Sequence, residues 1–507
     1  MGRFKLIERE YIVTLKKDVD YQKFNEEMIQ STGAGAIPNR TVDVADARPG
    51  SKRNTHYALT EAEVNQLRND PRVDAVEIPP EQRTDISPEP LAIQTGNFSK
   101  TTSDSGNYMN WGMRRCIERD NPYTFSSPSS DEFAYTLDGT GVDVVIQDTG
   151  IQVGHPEFND ADGNSRIKQI DWYAEAGVSG SMPSSFYSDY NGHGTHVAGT
   201  VAGINYGWAK NAHIHAMKIP LGTGGSGIQI TQSFDLIKLW HRNKPITSTG
   251  YRRPTIVNMS WGYGRSFSGI TGGNYRGTNW TGTSKRTDYG MVGSSFYSRH
   301  PVRLSVYDAD IDEMSDEGIH VCIAAGNSRQ KIDNVGGVDY DNYYNTSNFS
   351  GGSSRIYYHR GGSPFGNHAM MIGNLDSNEH SGGLEQKASS SETGPGITVY
   401  APGTNIMSAW RSTGGMPYHL NSSYRQNNIT GTSMASPQVC GLGACILQLE
   451  PYHTAASLKQ KIRNLASQDK IFSTGQDDDY TNSRSILDSA NKLLYTPFNS
   501  GFPFKTT

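Results

Sequence analysis

Cysteine is scarce, with 4 in 507 residues. That density excludes a small disulfide-stapled scaffold. Cys116, Cys322, Cys440 and Cys445 form no CxxC pair and have no histidine at zinc-ligand spacing, so a zinc module is excluded too. Long apolar runs are lacking. A stretch such as Val439 to Leu449 falls well short of the ~20 residues a membrane span needs. There is no basic excess: 46 Lys and Arg against 51 Asp and Glu give a formal net charge of −5. Neither nucleic acid nor an anionic membrane is therefore the expected partner. The opening residues, Met1 to Glu10, have no apolar leader core, and Leu6 stands where myristoylation needs Ser or Thr. The expectation is an intracellular or virus-particle-associated protein rather than a classically secreted one. The Asn-X-Ser/Thr triplets at Asn39, Asn97, Asn279, Asn345 and Asn428 then read as accidental.

What is present suffices for a large core. Hydrophobic residues make up 35% of the chain and glycine supplies 55 positions, an ordinary globular composition. Residues 10–80 read as a compact block. Tyr11 to Leu15 alternates like a strand, and Tyr21 to Ile29 places Phe24, Met28 and Ile29 at helical spacing. Thr41 to Val44 and His56 to Leu59 are further strand candidates. Thr60 with Glu63 three residues on predicts a capped helix, and Val73 to Ile78 closes with strand alternation. The order βαββαβ predicts a small ferredoxin-like domain. Residues 81–110, rich in Pro and then in Ser, Thr, Asn and Gly, read as an exposed linker.

From Trp111 to about 495, strands and helices alternate. Strand candidates are Val142–Ile146, Ile214–Lys218, Thr255–Met259, Ile319–Ile323, His368–Ile372 and Ile397–Tyr400. Helices are expected near 231–241, 305–315 and 454–466. This rhythm predicts an α/β domain with a parallel sheet and helices on both faces. Two regions, near 263–300 and 328–364, interrupt it and read as surface insertions.

Three short stretches carry chemistry. Asp148 ends the β-branched run Val144-Val145-Ile146-Gln147. His193 opens an apolar helix in Asn191-Gly192-His193-Gly194-Thr195-His196. Ser433 opens another in Gly431-Thr432-Ser433-Met434-Ala435-Ser436-Pro437. A serine hydroxyl needs a base in hydrogen-bond reach, and the base needs an orienting carboxylate. Asp148, His193 and Ser433 supply those three types. Each stretch has a plainer reading. Asp-Thr-Gly occurs in other folds. His193 and His196 could be read as a metal pair, although their spacing of three does not match the i, i+4 pattern. His196 reads as a packed helix residue, and Ser436 and Pro437 as helix-start residues.

Taken together, the stretches resemble the subtilisin-like serine proteases, the subtilases. Asp148-Thr149-Gly150-Ile151 and His155-Pro156-Glu157-Phe158 lean toward the proteinase K-like branch. The resemblance spans about Trp111 to Ala466. It implies a serine endopeptidase that works through an acyl-enzyme and is made as a self-processing zymogen, with residues 10–80 as its inhibitor-type propeptide. It implies that Asp148 orients the base, that His193 is base then acid, and that Ser433 is the nucleophile. Asn327, in Ala324-Ala325-Gly326-Asn327, then supplies an oxyanion donor. Gly225, Ser226 and Gly227 with Ser260, Trp261 and Gly262 then flank an extended substrate, and Ala324, Ala325 and Gly326 wall the pocket for the residue before the scissile bond. A polypeptide substrate and the chain's own propeptide are the implied partners. No cofactor is required, and structural calcium is possible near Asp160 and Asp162 or at Asp477 to Asp479. Gln147 and Trp261 depart from the family's usual aliphatic residues, and the insertion after Ser328 stretches the spacing from Asn327 to Ser433. The cysteine positions do not reproduce the disulfides of secreted proteinase K relatives. The rival expectation is a catalytically silent or plugged subtilase scaffold with a structural or binding role.

Overall fold

The computed structural model describes residues 8–497 apart from 31–34, 36, 39, 48–50, 52, 80–91, 101–107, 124–128, 223–224, 248–249, 284–285, 293–298, 348–354, 382 and 477. Two compact units divide the chain, one built mainly on residues before Pro90 and one mainly on those after it.

In the first unit the elements are β1 (Arg9–Leu15), α1 (Tyr21–Ile29), β2 (Val44–Asp46), β3 (Asn54–Leu59), α2 (Glu61–Arg68) and β4 (Val73–Glu77). They form an antiparallel sheet in the order β2-β3-β1-β4. Strand period 2 turns Tyr11, Val13 and Leu15 inward, where they meet Phe24 and Met28 of α1 and Val64 and Leu67 of α2. The Thr60–Glu63 capping box is formed at the start of α2. The second strand lies later than the 41–44 expected: Val42 is buried but outside the ladder, and pairing starts at Val44, where the register shifts.

The segment 81–110 is not an exposed linker throughout. Residues 80–91 and 101–107 lie outside the described part. Ala92–Ser99 forms a strand that pairs antiparallel with Ser129–Tyr135 and parallel with Tyr108–Asn110. Phe98 and Lys100 are buried, and the Lys100 ammonium lies over the Trp111 ring at 5.3 Å. The second unit thus begins near Pro90 rather than at Trp111. Polar composition hid this strand, because hydrogen-bonded neighbours rather than apolar alternation hold it.

The core of the second unit is a nine-stranded sheet. Its main parallel strands are β5 (Asp143–Asp148), β6 (His213–Lys218), β7 (Thr255–Met259), β8 (His320–Ala324), β9 (Met370–Glu379) and β10 (Val399–Pro402). They lie in the order β6-β5-β7-β8-β9-β10. The longer helices are α3 (His193–Ala202), α4 (Ile230–Asn243), α5 (Ser305–Asp316), α6 (Thr432–Leu449) and α7 (Ala455–Leu465). Every residue of β5, β7 and β8 is buried, as expected for strands covered on both faces.

The two expected insertions prove to be one structure. Ile270–Tyr275 pairs with Thr278–Thr281 and, across the chain, with Tyr343–Thr346, which pairs with Arg355–Tyr357. Phe267, Ile270, Trp280, Met291, Tyr344 and Tyr358 form a separate small core. Buried Asp339 of the second insertion bonds Arg276 Nε of the first at 2.8 Å and Lys331 Nζ at 2.8 Å. All four cysteines are buried and unpaired. No helix among the described residues is long and apolar enough to cross a membrane.

Candidate active site

The strand order reverses at β5: β6 lies on one side and β7 on the other. Such a switch point opens a crevice beyond the strands' carboxyl ends, and Asp148 is the last residue of β5. Its carboxylate is fully buried, and Oδ1 lies 2.8 Å from His193 Nδ1. Oδ2 has no hydrogen-bond partner. His193 opens α3 directly after Gly192, whose φ of 99° only glycine adopts readily. A Cβ on Gly192 would lie 2.7 Å from the Trp410 ring, so close packing also requires glycine there. With Nδ1–H donated to Asp148, Nε2 is left as the basic nitrogen. Burial disfavours the imidazolium. The Asp148 carboxylate and its hydrogen bond outweigh that, with a further contribution from Asp189, and His193 titrates above the usual histidine value.

Asp189 carries no sequence motif, yet it fastens this corner. Its Oδ1 accepts from Thr149 Oγ1 at 3.0 Å and Gly192 N at 2.9 Å, and its Oδ2 accepts from Thr195 N at 2.9 Å. Thr149 Oγ1 in turn accepts from Gly194 N at 2.9 Å. The end of β5 and the start of α3 are thereby held as one piece. His196 is the packed helix residue expected, fully buried with Nε2 2.8 Å from the Ile406 carbonyl.

Ser433 lies in the first turn of α6. Its hydroxyl donates to the Ser260 carbonyl at 3.2 Å, and no hydrogen bond among the described residues joins it to His193. Pro437 sits inside this helix and has no N–H to give the carbonyl four residues back, that of Ser433. The Ser260 hydroxyl donates there instead, at 2.9 Å. Ser260 Oγ is itself bonded by Asn258 Nδ2 at 2.8 Å, and Ser436 Oγ donates to Asn258 Oδ1 at 2.8 Å. Ser436 is therefore more than a helix-start residue: with buried Asn258 it braces the strand that holds the Ser433 backbone. Sequence reading missed Asn258 because a polar residue inside an apolar strand carries no periodic signal.

Asn327 Oδ1 accepts from Thr432 N at 3.0 Å and Thr432 Oγ1 at 3.1 Å. That fixes the amide so that Nδ2 faces away from Thr432. A Cβ built on Gly431 would lie 3.5 Å from Asn327 Nδ2 and 3.7 Å from Ser433 N. Asn327 Nδ2 and Ser433 N thus both lie beside Gly431, at the positive end of the α6 dipole, with Asn327 Oδ1 at 3.8 Å from the same point.

A cavity of about 430 Å³ opens beside Ser433. Ser260, Trp261 and Gly262 line it on one side, and Ala324, Ala325, Gly326 and Asn327 on another. Gly225, Ser226 and Gly227 are not among its lining residues; they follow β6, with Gly225 and Ser226 exposed. The departures at Gln147 and Trp261 explain each other. Trp261 Nε1 donates to buried Gln147 Oε1 at 3.0 Å, and Gln147 Nε2 donates to Ser233 Oγ at 2.8 Å. An indole on the cleft floor needs an acceptor beneath it, and Gln147 supplies one.

Asp143, at the other end of β5, gathers with His213 and His215, their ligand atoms within 4.8 Å of one another. Lys244 Nζ at 2.6 Å and Arg253 Nε at 3.0 Å already neutralise that carboxylate, so the donor set does not suit a divalent cation. Near the expected calcium loops, Asp160 Oδ1 accepts from Asp162 N and Asn164 N at 3.0 and 2.8 Å. Asp479 Oδ1 accepts from Asn482 N at 3.2 Å, and Asp477 lies outside the described residues.

A histidine bonded to a buried aspartate at a sheet switch point, and a serine at a helix start beside a cavity, are the residue types that a serine hydrolase uses. Comparison with known proteins gives the family: the subtilase family, peptidase S8, matches residues 139–484, and the chain belongs to it. The protein is a serine endopeptidase with the subtilisin-like α/β architecture. An extracellular serine proteinase of Thermus sp. (strain Rt41A) is 25% identical over 502 residues, covering 96% of this chain and 89% of the relative. A cuticle-degrading serine protease of Arthrobotrys oligospora is 26% identical over 508 residues, covering 98% and 92%. A cold adapted subtilisin-like serine proteinase of known structure aligns with a TM-score of 0.47 and 24% identity, over 76% of this chain and 97% of that one.

Proposed function

We propose that Asp148, His193 and Ser433 form the proton relay of this endopeptidase, and that Asn327 Nδ2 and the Ser433 N–H hold the oxyanion. In this reading the Ser433 hydroxyl turns from the Ser260 carbonyl to His193 Nε2 as substrate enters. Ser433 Oγ attacks the scissile carbonyl, its proton passes to Nε2, and the carbonyl oxygen takes the negative charge beside Gly431. Nε2 then protonates the leaving amine, and a water repeats the sequence on the acyl-enzyme. The observation that carries the assignment is the 2.8 Å bond from His193 Nδ1 to buried Asp148. The position of both donors beside Gly431 supports it.

The substrate is a polypeptide, and the first unit is proposed as an inhibitor-type propeptide removed by self-cleavage between about 80 and 110. Calcium, where it binds, is structural and not part of the chemistry; the Asp160–Asp162 loop is the place to look. The Thermus relative's name, extracellular, favours action outside the cell over the intracellular or virion setting expected from the first ten residues. Intact mass with N-terminal sequencing tests the central reading. Wild type should shorten by roughly the propeptide mass and take up a fluorophosphonate, while Ser433→Ala stays full length and unlabelled. A full-length, unlabelled wild type would instead support the silent scaffold.

A further inference from the structure

The cavity beside Ser433 contains one acid that neither the triad nor the oxyanion donors use. Glu392 is fully buried and is the sole carboxylate among the described lining residues. Its Oε1 accepts from Ser328 N at 3.0 Å, and its Oε2 has no hydrogen-bond partner. Gly326, part of the pocket wall, has φ 115°, and a Cβ there would lie 3.0 Å from Glu392 Cγ. Glycine thus lets the wall strand lie directly on the acid.

We propose that Glu392 is the specificity-determining group of this pocket, selecting substrates with lysine or arginine before the scissile bond. The inference rests on the protease reading and deepens it. Neutral acceptors would serve the Ser328 and Gln330 N–H groups without a buried charge. Ionising an acid there carries a desolvation cost that a cation beside Oε2 would offset. Burial accordingly pushes the Glu392 carboxyl up to about 8, against the Ser328 and Gln330 N–H groups and Lys387. Lys387 does not fill the gap at Oε2: its ammonium donates to the carbonyls of Ala388, Ser391 and Ser483. The other charged lining residue, Arg299, is exposed and donates to the Gly264 carbonyl at 2.9 Å. A substrate ammonium or guanidinium reaching down the pocket would complete the partner set of Oε2. The neighbouring wall, Ser260 to Gly262 and Ala324 to Gly326, offers only neutral groups to the rest of that side chain.

The test is kcat/KM of the full chain, allowed to mature, on tetrapeptide anilides that differ only in the last residue: Lys, Arg, Phe or Ala. Wild type should prefer Lys and Arg over Phe and Ala by about 10–100-fold, and Glu392→Gln should collapse that ratio toward one. A purely structural role would lower all four substrates together and leave the ratio unchanged, which overturns the inference. So does a fluorophosphonate-labelled wild type that cleaves best after Phe or Ala; this needs no variant to fold. Absence of labelling removes the protease reading, and the inference with it.

Discussion

Asn327 is positioned by its own oxygen. Because Thr432 holds Oδ1, an Asn327→Asp change would keep the size but present an oxygen where Nδ2 now faces the space beside Gly431. Asn327→Leu should lower kcat by about 10²–10³ with little change in KM, a magnitude known from subtilisin itself. An equal rise in KM instead would mean the amide binds the ground state. His193 gives a second prediction at this scale. In the proposed relay the base must be unprotonated, and Asp148 raises its pKa above the histidine reference of 6.5. Activity should fall as pH drops through a value above 6.5. Asp148→Asn, lacking the carboxylate that favours the imidazolium, should move that limb to lower pH on whatever activity remains. A limb that does not move would break the assignment. Asp148, His193, Ser433 and Asn327, the proposed site, could be picked out because the proposed chemistry needs fixed residue types in short local motifs. Asp189, Asn258 and Ser436 could not be, since each acts through partners that only the fold brings near.

The proline in α6 makes the helix of Ser433, the proposed nucleophile, depend on the residue after a strand. Ser260→Ala removes the donor that bonds the Ser433 carbonyl and should cost about 1–3 kcal/mol, as for any buried acceptor left unpaired. The urea midpoint of a Ser433→Ala background, with and without Ser260→Ala, measures this free of self-digestion. An unchanged midpoint would mean that water or a helical donor replaces Ser260. Helix bounds were read well from spacing: 305–315 was expected and Ser305–Asp316 observed, 454–466 expected and Ala455–Leu465 observed. Strands with apolar alternation were legible for the same reason. The strand at Ala92–Ser99 and the sheet joining the two insertions were hidden, because Ser, Asn, Gly and Tyr there satisfy hydrogen bonds and stack rings without a repeating apolar pattern.

The whole molecule stores neutral histidines. His196 and His320 are pushed down to about 3, and His300 and His359 to about 4, burial being the largest cause in each. The unfolded chain binds those protons near pH 6.5 and the native chain does not, so stability falls as pH drops below 6.5. Each group contributes up to ~1.4 kcal/mol per pH unit. Glu392, shifted upward, offsets one of them over the range between 8 and the ordinary carboxylate value. The urea midpoint of Ser433→Ala should therefore drop steeply between pH 6.5 and 5, and a flat profile would show that these rings are hydrated. The parallel sheet and its order of chemistry were readable from the chain. The fusion of two insertions into one body flanking the pocket was not, since it depends on Arg276 meeting Asp339 across 63 residues.

The four unpaired thiols have a consequence for how this chain matures. No covalent staple holds either unit, and each sulfur lies inside packed surroundings. The native state therefore owes nothing to an oxidant or to a disulfide-shuffling catalyst. Reaching this packed state calls for no disulfide to form, so its maturation, by the self-cleavage proposed above, need not wait on redox chemistry.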